Sequence, residues 1–127
     1  MAQDGTRSTP SSGGPRTLIT GARGVIGSAL VAELRSAGYT NVVGVNTPDA
    51  DLGQLEEAQQ LFNAVRPELV FHLAARVYGI LGNATHKAEV FLQNTRINVN
   101  VIEASRLSGV RKIVAMGSVA VYADGLE

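Results

Sequence analysis

Residues 17–38 read TLITGARGVIGSALVAELRSAG, and this stretch decides the fold. Thr17-Leu18-Ile19-Thr20 is a short apolar, β-branched run of the kind that forms a strand. Glycines follow at an even spacing of three, at Gly21, Gly24 and Gly27. From Ser28 to Gly38 apolar residues recur at Ala29, Leu30, Ala32 and Leu34, a helical pattern that Gly38 closes. A strand, a glycine turn and a helix in this order form the arrangement that binds a dinucleotide. In that reading Gly21 takes the tight turn, Gly24 lets backbone amides approach a pyrophosphate, and Gly27 lets the helix pack close to the strand. The helix then presents its free N–H groups and positive dipole end to the phosphates. Spaced glycines by themselves are weak evidence, because a turn can need small residues for packing alone. The strand before and the helix after favour dinucleotide binding.

Working outward, the same alternation continues. Asn41–Val45 reads as a second strand, Leu52–Val65 as a helix ended by Pro67, and Glu68–Leu73 as a third strand. A Gly- and Asn-containing loop covers Ala75 to Thr85. A long helix runs from about His86 to Ser108 and closes on Gly109, and Lys112–Met116 is a fourth strand. The order βαβαβαβ predicts an α/β fold, a Rossmann-type doubly wound parallel sheet with helices on both faces. The simplest arrangement with right-handed crossovers is the strand order 3-2-1-4.

Composition agrees. The chain has 127 residues, 45% hydrophobic and 17% charged, against a usual charged share of about 25%. That suits one domain with strands buried on both faces and excludes disorder over most of the length. Lys plus Arg and Asp plus Glu both number 11, so the net charge is zero and there is no broad attraction to nucleic acid or an anionic membrane. No apolar run approaches the roughly 20 residues that span a bilayer. With no Cys, thiolate zinc sites and Cys nucleophiles are excluded. His72 and His86 are isolated, so no metal site is expected. Residues 1–16, rich in Ser, Thr, Gly and Pro, read as a flexible tail without the apolar core of a secretory signal, and a cytoplasmic location is expected. The cofactor-binding domain is then residues 17–127.

Cofactor choice turns on the end of the second strand, where an NAD enzyme carries an acidic residue for the ribose 2′-hydroxyl. Here that end is the uncharged Asn46-Thr47, and Asp49 follows a Pro. Arg23, inside the glycine loop, has the planar, permanently charged fork that pairs with a 2′-phosphate. NADP(H) is therefore favoured over NAD(H), the competing reading of Arg23 being a solvated loop cation.

The spacing Gly-x-x-Gly-x-x-Gly resembles the extended short-chain dehydrogenases/reductases, the NAD-dependent epimerase/dehydratase family. Further segments agree: Asp51-Leu52, His72-Leu73-Ala74-Ala75, Asn94 six residues before Asn100, and Met116-Gly117-Ser118-Val119-Ala120-Val121-Tyr122. The resemblance covers residues 17–127. It implies a cofactor cradled by Gly21, Ala22, Arg23, Gly24, Val25, Ile26 and Gly27. Its adenine would be contacted by Asp51 and Leu52, with Leu73, Ala74, Ala75 and Asn94 alongside. Ser118 falls on the family's catalytic Ser. The substrate implied is a nucleotide sugar, and the intact protein is implied to be a homodimer.

Within the family the likeness is strongest to enzymes that epimerise GDP-4-keto-6-deoxymannose at C3 and C5 and then reduce the 4-keto group with NADPH. It rests on the Arg in GARGVIGSAL, the short link to Asp51-Leu52, and Ala75-Arg76-Val77-Tyr78-Gly79-Ile80 followed by Asn83. Tyr78 departs from a Gly of that pattern. Thr47 stands where a second basic residue is usual, and Ala120 where a Cys serves epimerisation. Another nucleotide-sugar epimerase or dehydratase, a non-catalytic dinucleotide-binding module and a non-functional remnant of an enzyme gene are the alternatives. The family's Tyr-x-x-x-Lys is not found, since Tyr39, Tyr78 and Tyr122 each lack a Lys four residues on. The chain is therefore expected to be the N-terminal part of an enzyme, without turnover alone, and its fourth strand is expected to be an open edge that invites association.

Overall fold

The computed structural model describes residues 13–79, 82 and 85–118. Ile80, Asn83, Ala120, Tyr122 and the first twelve residues of the expected tail lie outside the described residues. The elements run β1 (Thr17–Thr20), α1 (Val25–Ser36), β2 (Val42–Val45), α2 (Leu55–Val65), β3 (Leu69–His72), α3 (Lys87–Leu107) and β4 (Lys112–Ala115). Every strand pairing is parallel. The α/β, doubly wound class stands.

The strand order does not. The sheet runs β2-β1-β3-β4, not 3-2-1-4. Periodicity identifies strands but not their neighbours, and burial explains the choice. β1 is sealed at all four positions, so it needs a strand on each side. β2 carries Gly44 and leaves Val43 exposed, which suits an edge strand rather than the interior place that 3-2-1-4 would give it. The crossover from β2 to β3 therefore passes over β1. The β1-to-β2 and β2-to-β3 connections run in opposite directions across the sheet, so right-handed crossovers put α1 on one face and α2 on the other. Accordingly α1 packs on β1 and β2, while α2 packs against α3.

The two sides of the core follow from strand alternation. Leu18 and Val70 are register partners, fully buried, and meet Phe62 of α2 and Val101 of α3. Ile19 points the other way and is also sealed from water. Among the described residues β4 is the second edge strand, with Val114 exposed, as is Met116 just past it.

Two helices begin elsewhere than the sequence predicts. α1 starts at Val25, because Gly24 takes the extended N-cap conformation and Gly27 is helical. α2 starts at Leu55 rather than Leu52, because Asp51 Oδ1 accepts the Gly53 amide at 2.9 Å and holds a turn before the helix. Within the expected loop before α3, the His86 amide donates to the Gly82 carbonyl at 3.0 Å. The last residues of the expected tail are bonded to the domain. The Thr40 amide donates to the Gly13 carbonyl at 3.0 Å, and the Arg16 carbonyl accepts from the Glu68 amide at 2.8 Å. The Arg16 amide donates to the Glu68 carboxylate, which holds that carboxyl below its ordinary pKa.

Among the described residues Phe62 is the largest side chain wholly removed from water. Replacing it with Ala leaves a cavity between α2, α3 and β1, and Phe62→Ala should cost about 3–5 kcal/mol. Urea unfolding checks this; a loss below about 1 kcal/mol would show that the α2–α3 face is not the principal core.

Candidate functional site

The chain direction reverses at β1. From there it steps to β2 on one side, and β3 and β4 lie on the other. Loops leaving the carboxyl ends of β1 and β3 diverge, which opens a crevice at this switch point. A cleft of about 250 Å³ lies there. Gly21 and Gly24 line it after β1, Asn46, Thr47, Asp51 and Leu52 after β2, and Leu73 to Arg76 after β3, with Ile97 of α3 beside them.

The glycine loop is held from three sides. Gly21 has φ +72°, and an added Cβ would lie 2.9 Å from the Ala74 nitrogen. Its amide and that of Ala22 both donate to the Val45 carbonyl, at 2.9 and 3.2 Å. The Arg23 amide donates to Asn46 Oδ1 at 2.8 Å. A Cβ on Gly27 would collide with the Gly21 carbonyl oxygen, so only Gly lets α1 come this close to the loop. The first turn leaves the amides of Val25, Ile26 and Gly27 without acceptors inside the helix, and no side chain caps it. That turn also lacks acidic residues. Val25 is 91% exposed, an apolar side chain bare at the mouth of the loop. Free donors, a positive dipole end and bare apolar surface together fit a bound pyrophosphate.

A polar relay that runs from the core out to α3 sets the opposite lip. Thr20 Oγ1 lies 2.7 Å from His72 Nδ1, and His72 Nε2 lies 2.9 Å from Asn98 Oδ1. Asn98 Oδ1 accepts, so Nε2 carries the proton and Thr20 donates to Nδ1. The Thr20 oxygen then accepts the amides of Leu73 and Ala74, both at 3.2 Å. Burial pushes the His72 pKa below its ordinary value, and the bond to Asn98 pulls it partly back.

Two more Asn residues of α3 fix the rest of the rim. Asn94 accepts the Arg76 amide at 2.7 Å and donates to the Arg76 carbonyl at 3.0 Å. Asn100 donates to the Leu52 carbonyl at 3.0 Å.

The structure thus brings Gly21, Gly24, Asp51, Leu52, Leu73, Ala74 and Ala75 together around one cleft. Ala22 and Arg23 line an adjoining groove. Val25 and Ile26 are exposed in the first turn of α1, and Gly27 is buried beneath the loop. Asn94 does not line the cleft but clamps the backbone of Arg76 in the loop after β3. Ser118 is exposed, three residues past β4 at the carboxyl end of the sheet. Among the described residues no group of His, Cys, Asp or Glu could hold a metal ion.

Sequence reading missed Asn46, Thr47, Ala50, Arg76 and Ile97 as lining residues, and Thr20, His72, Asn98 and Asn100 as positioning residues. One signal was available: three Asn, a poor helix former, recur within α3 at 94, 98 and 100.

The domain model of the NAD dependent epimerase/dehydratase family matches residues 17–127, and the chain belongs to that family. It is 36% identical over 110 residues to a probable GDP-L-fucose synthase 1 of Oryza sativa subsp. japonica, covering 86% of this chain and 34% of the relative. Among solved structures, a GDP-L-fucose synthetase from Naegleria fowleri bound to NADP superposes with a TM-score of 0.83 at 28% identity, over 94% of this chain and 38% of that one. A GDP-mannoheptose C4 reductase from Campylobacter jejuni with NADP bound gives a TM-score of 0.82 at 32% identity, over 87% and 35%. The chain spans about a third of the length of the curated relatives it matches.

Two outcomes are expected. Gly27→Ala should displace the Gly21 loop and destabilise the fold by about 1–3 kcal/mol; an unchanged thermal midpoint and an unchanged affinity for the dinucleotide would contradict the close approach of α1. The lowered His72 pKa means that, below the ordinary value of about 6.5, the unfolded chain binds more protons than the folded one. The stability this group contributes is present above that value and is lost as pH falls through it toward the folded pKa. Melts at about pH 7.5 and about pH 5.5 should show a fall that His72→Gln reduces. An equal fall in the variant would place the titration elsewhere.

Proposed function

We propose that residues 17–127 form the NADP(H)-binding part of a nucleotide-sugar epimerase/reductase of the GDP-L-fucose synthase kind, and that residues 1–16 are a tail. The observation that carries this reading is the Gly21–Gly27 closure, which sets the open amides of α1 over a cleft at the sheet's switch point. The family, and relatives whose names specify GDP-sugars, support the substrate class. The NADP-bound state of two neighbouring structures and the Arg23 position support NADP(H) over NAD(H). The intact protein is read as a cytoplasmic homodimer.

Each side chain then has a task. The amides of the first turn of α1 bind the pyrophosphate. Asp51 spends Oδ1 on the Gly53 amide and faces the adenine from the β2 side of the cleft. The backbone of Leu73 to Ala75, set by Thr20 and Asn94, forms the wall along which the dinucleotide lies. The nicotinamide, when bound, supplies or accepts hydride at the sugar carbon. Ser118 donates a hydrogen bond to the sugar oxygen and stabilises the charge that develops there. No Tyr in this chain has a Lys four residues on to complete the proton transfer, so these 127 residues bind cofactor without turnover.

Calorimetric titration of the chain tests the reading. NADPH is expected to bind more tightly than NADH, and neither is expected to be consumed in the presence of GDP-4-keto-6-deoxymannose. Absence of binding by both cofactors, from a folded sample, would end the dinucleotide assignment.

A further inference from the structure

We propose that the Thr20–His72–Asn98 relay is a proton-sensitive latch on the cofactor wall. With the His72 ring neutral it fixes the Ala74 amide in the wall of the cleft; with the ring protonated it lets that amide go, so the cleft binds dinucleotide less tightly in acid. The inference rests on the dinucleotide reading above and adds to it a regulation of the same site.

The Thr20 hydroxyl is fully used when the ring is neutral. It donates to His72 Nδ1 at 2.7 Å and accepts the Leu73 and Ala74 amides at 3.2 Å each. One donor and two lone pairs are all that a hydroxyl has. His72 Nε2 meanwhile donates to Asn98 Oδ1 at 2.9 Å. A protonated ring donates from both nitrogens. Nδ1 then presents a hydrogen to an oxygen whose acceptor positions are taken, and one amide has to leave. The two amides are not equivalent. The Leu73 amide also donates to the Thr20 carbonyl at 3.2 Å and so keeps an acceptor. Among the described residues the Ala74 amide has Thr20 Oγ1 alone. Ala74 is therefore the residue released.

Ala74 is placed to pass this on. It lines the cleft, and its backbone lies against the glycine loop: a Cβ on Gly21 would stand 2.9 Å from the Ala74 nitrogen and 3.0 Å from its Cα. A displaced Ala74 shifts the wall and removes the support of Gly21 together.

No charged group among the described residues competes for the ring. β1 and the rest of β3 carry none, and Lys112 of β4 pairs with Leu69 at the other end of β3. On α3, Glu89, Arg96 and Glu103 lie on the side of the helix away from Asn98, while Lys87 and Arg106 are two turns or more from it along the axis. Asp51 and Glu57, on the β2 side of the cleft, accept the Gly53 and Asp51 amides. What acts on the ring is burial, which disfavours its charge, and the weaker opposing bond to Asn98. The ring therefore takes up its proton below the ordinary value of about 6.5, and dinucleotide affinity is full above that value and lost as pH falls.

The test measures NADP+ affinity of the full chain by calorimetry at about pH 7.5 and about pH 5.5, with melts showing each protein folded at both. The ligand's own phosphate titrates equally for every protein, so the comparison between variants reads the ring. Between the two values Kd should rise about fivefold more in the parent than in His72→Asn, whose amide oxygen stands in for Nδ1 as acceptor and does not titrate. Asn98→Asp sets a carboxylate beside Nε2 and favours the charged ring, so the loss of affinity should begin at higher pH. Equal pH dependence in the parent and His72→Asn, or an unmoved onset in Asn98→Asp, overturns the latch while the dinucleotide reading stands. A folded parent that binds no NADP+ at the higher pH overturns both.

Discussion

Everything in this molecule is hung on β1. Its four residues, Thr17 to Thr20, are sealed from water on both faces and hydrogen-bonded along both edges. A strand placed this way leaves its neighbours no choice. β2 must take one side and β3 the other, so the connections run in opposite directions across the sheet. That reversal puts a helix on each face, and it also parts the loops that follow β1 and β3. The core and the cleft are therefore two consequences of one buried strand. Thr20 closes the argument at its carboxyl end. The hydroxyl is inside the core, yet its oxygen holds two amides of the cleft wall.

The rim of the cleft is built mainly from backbone, and α3 holds much of it. Asn94, Asn98 and Asn100 reach, respectively, the Arg76 backbone, the His72 ring and the Leu52 carbonyl. Because α3 also contributes Val101 and Ala104 to the core, the wall is positioned by an element that the core itself anchors. Loosening that packing loosens three contacts of the rim at once. The buried part of this relay, Thr20 and His72, requires every polar atom to be satisfied. Neutral His72 meets that requirement: Nδ1 accepts from Thr20 and Nε2 donates to Asn98. A protonated ring would turn Nδ1 into a donor against a hydroxyl already accepting two amides.

Much of this was legible in the sequence. TLIT followed by evenly spaced glycines gave strand, turn and helix, and the cleft-lining residues at 21, 24, 51, 52 and 73 to 75 lie where the motifs placed them. The neighbour order was not legible. Nothing in VVGV says whether it is an interior or an edge strand; only the packing of β1 decides that. Element starts were displaced where a side chain caps a turn, as Asp51 does, or where a Gly is tolerated inside a helix, as Gly27 is. Asn46 was read only as an absence of acid at the end of β2. Its actual role, holding the Arg23 amide, depends on a contact across 23 residues.

Zero net charge excludes a long-range pull on anionic partners, so the proposed pyrophosphate site has to act at short range. The first turn of α1 offers open amides with no acidic residue beside them, and Arg23 lines the adjoining groove, where Asp49 is tied to the Asn46 amide. Interactions at that range lie well inside a screening length of about 8 Å at physiological salt. Recognition at the proposed site then depends on local geometry rather than on the field of the whole protein. Gly44, where a Cβ would lie 2.7 Å from the Ala22 Cβ, lets the glycine loop settle on β2, and Asn46 ties that loop to the rim of the cleft.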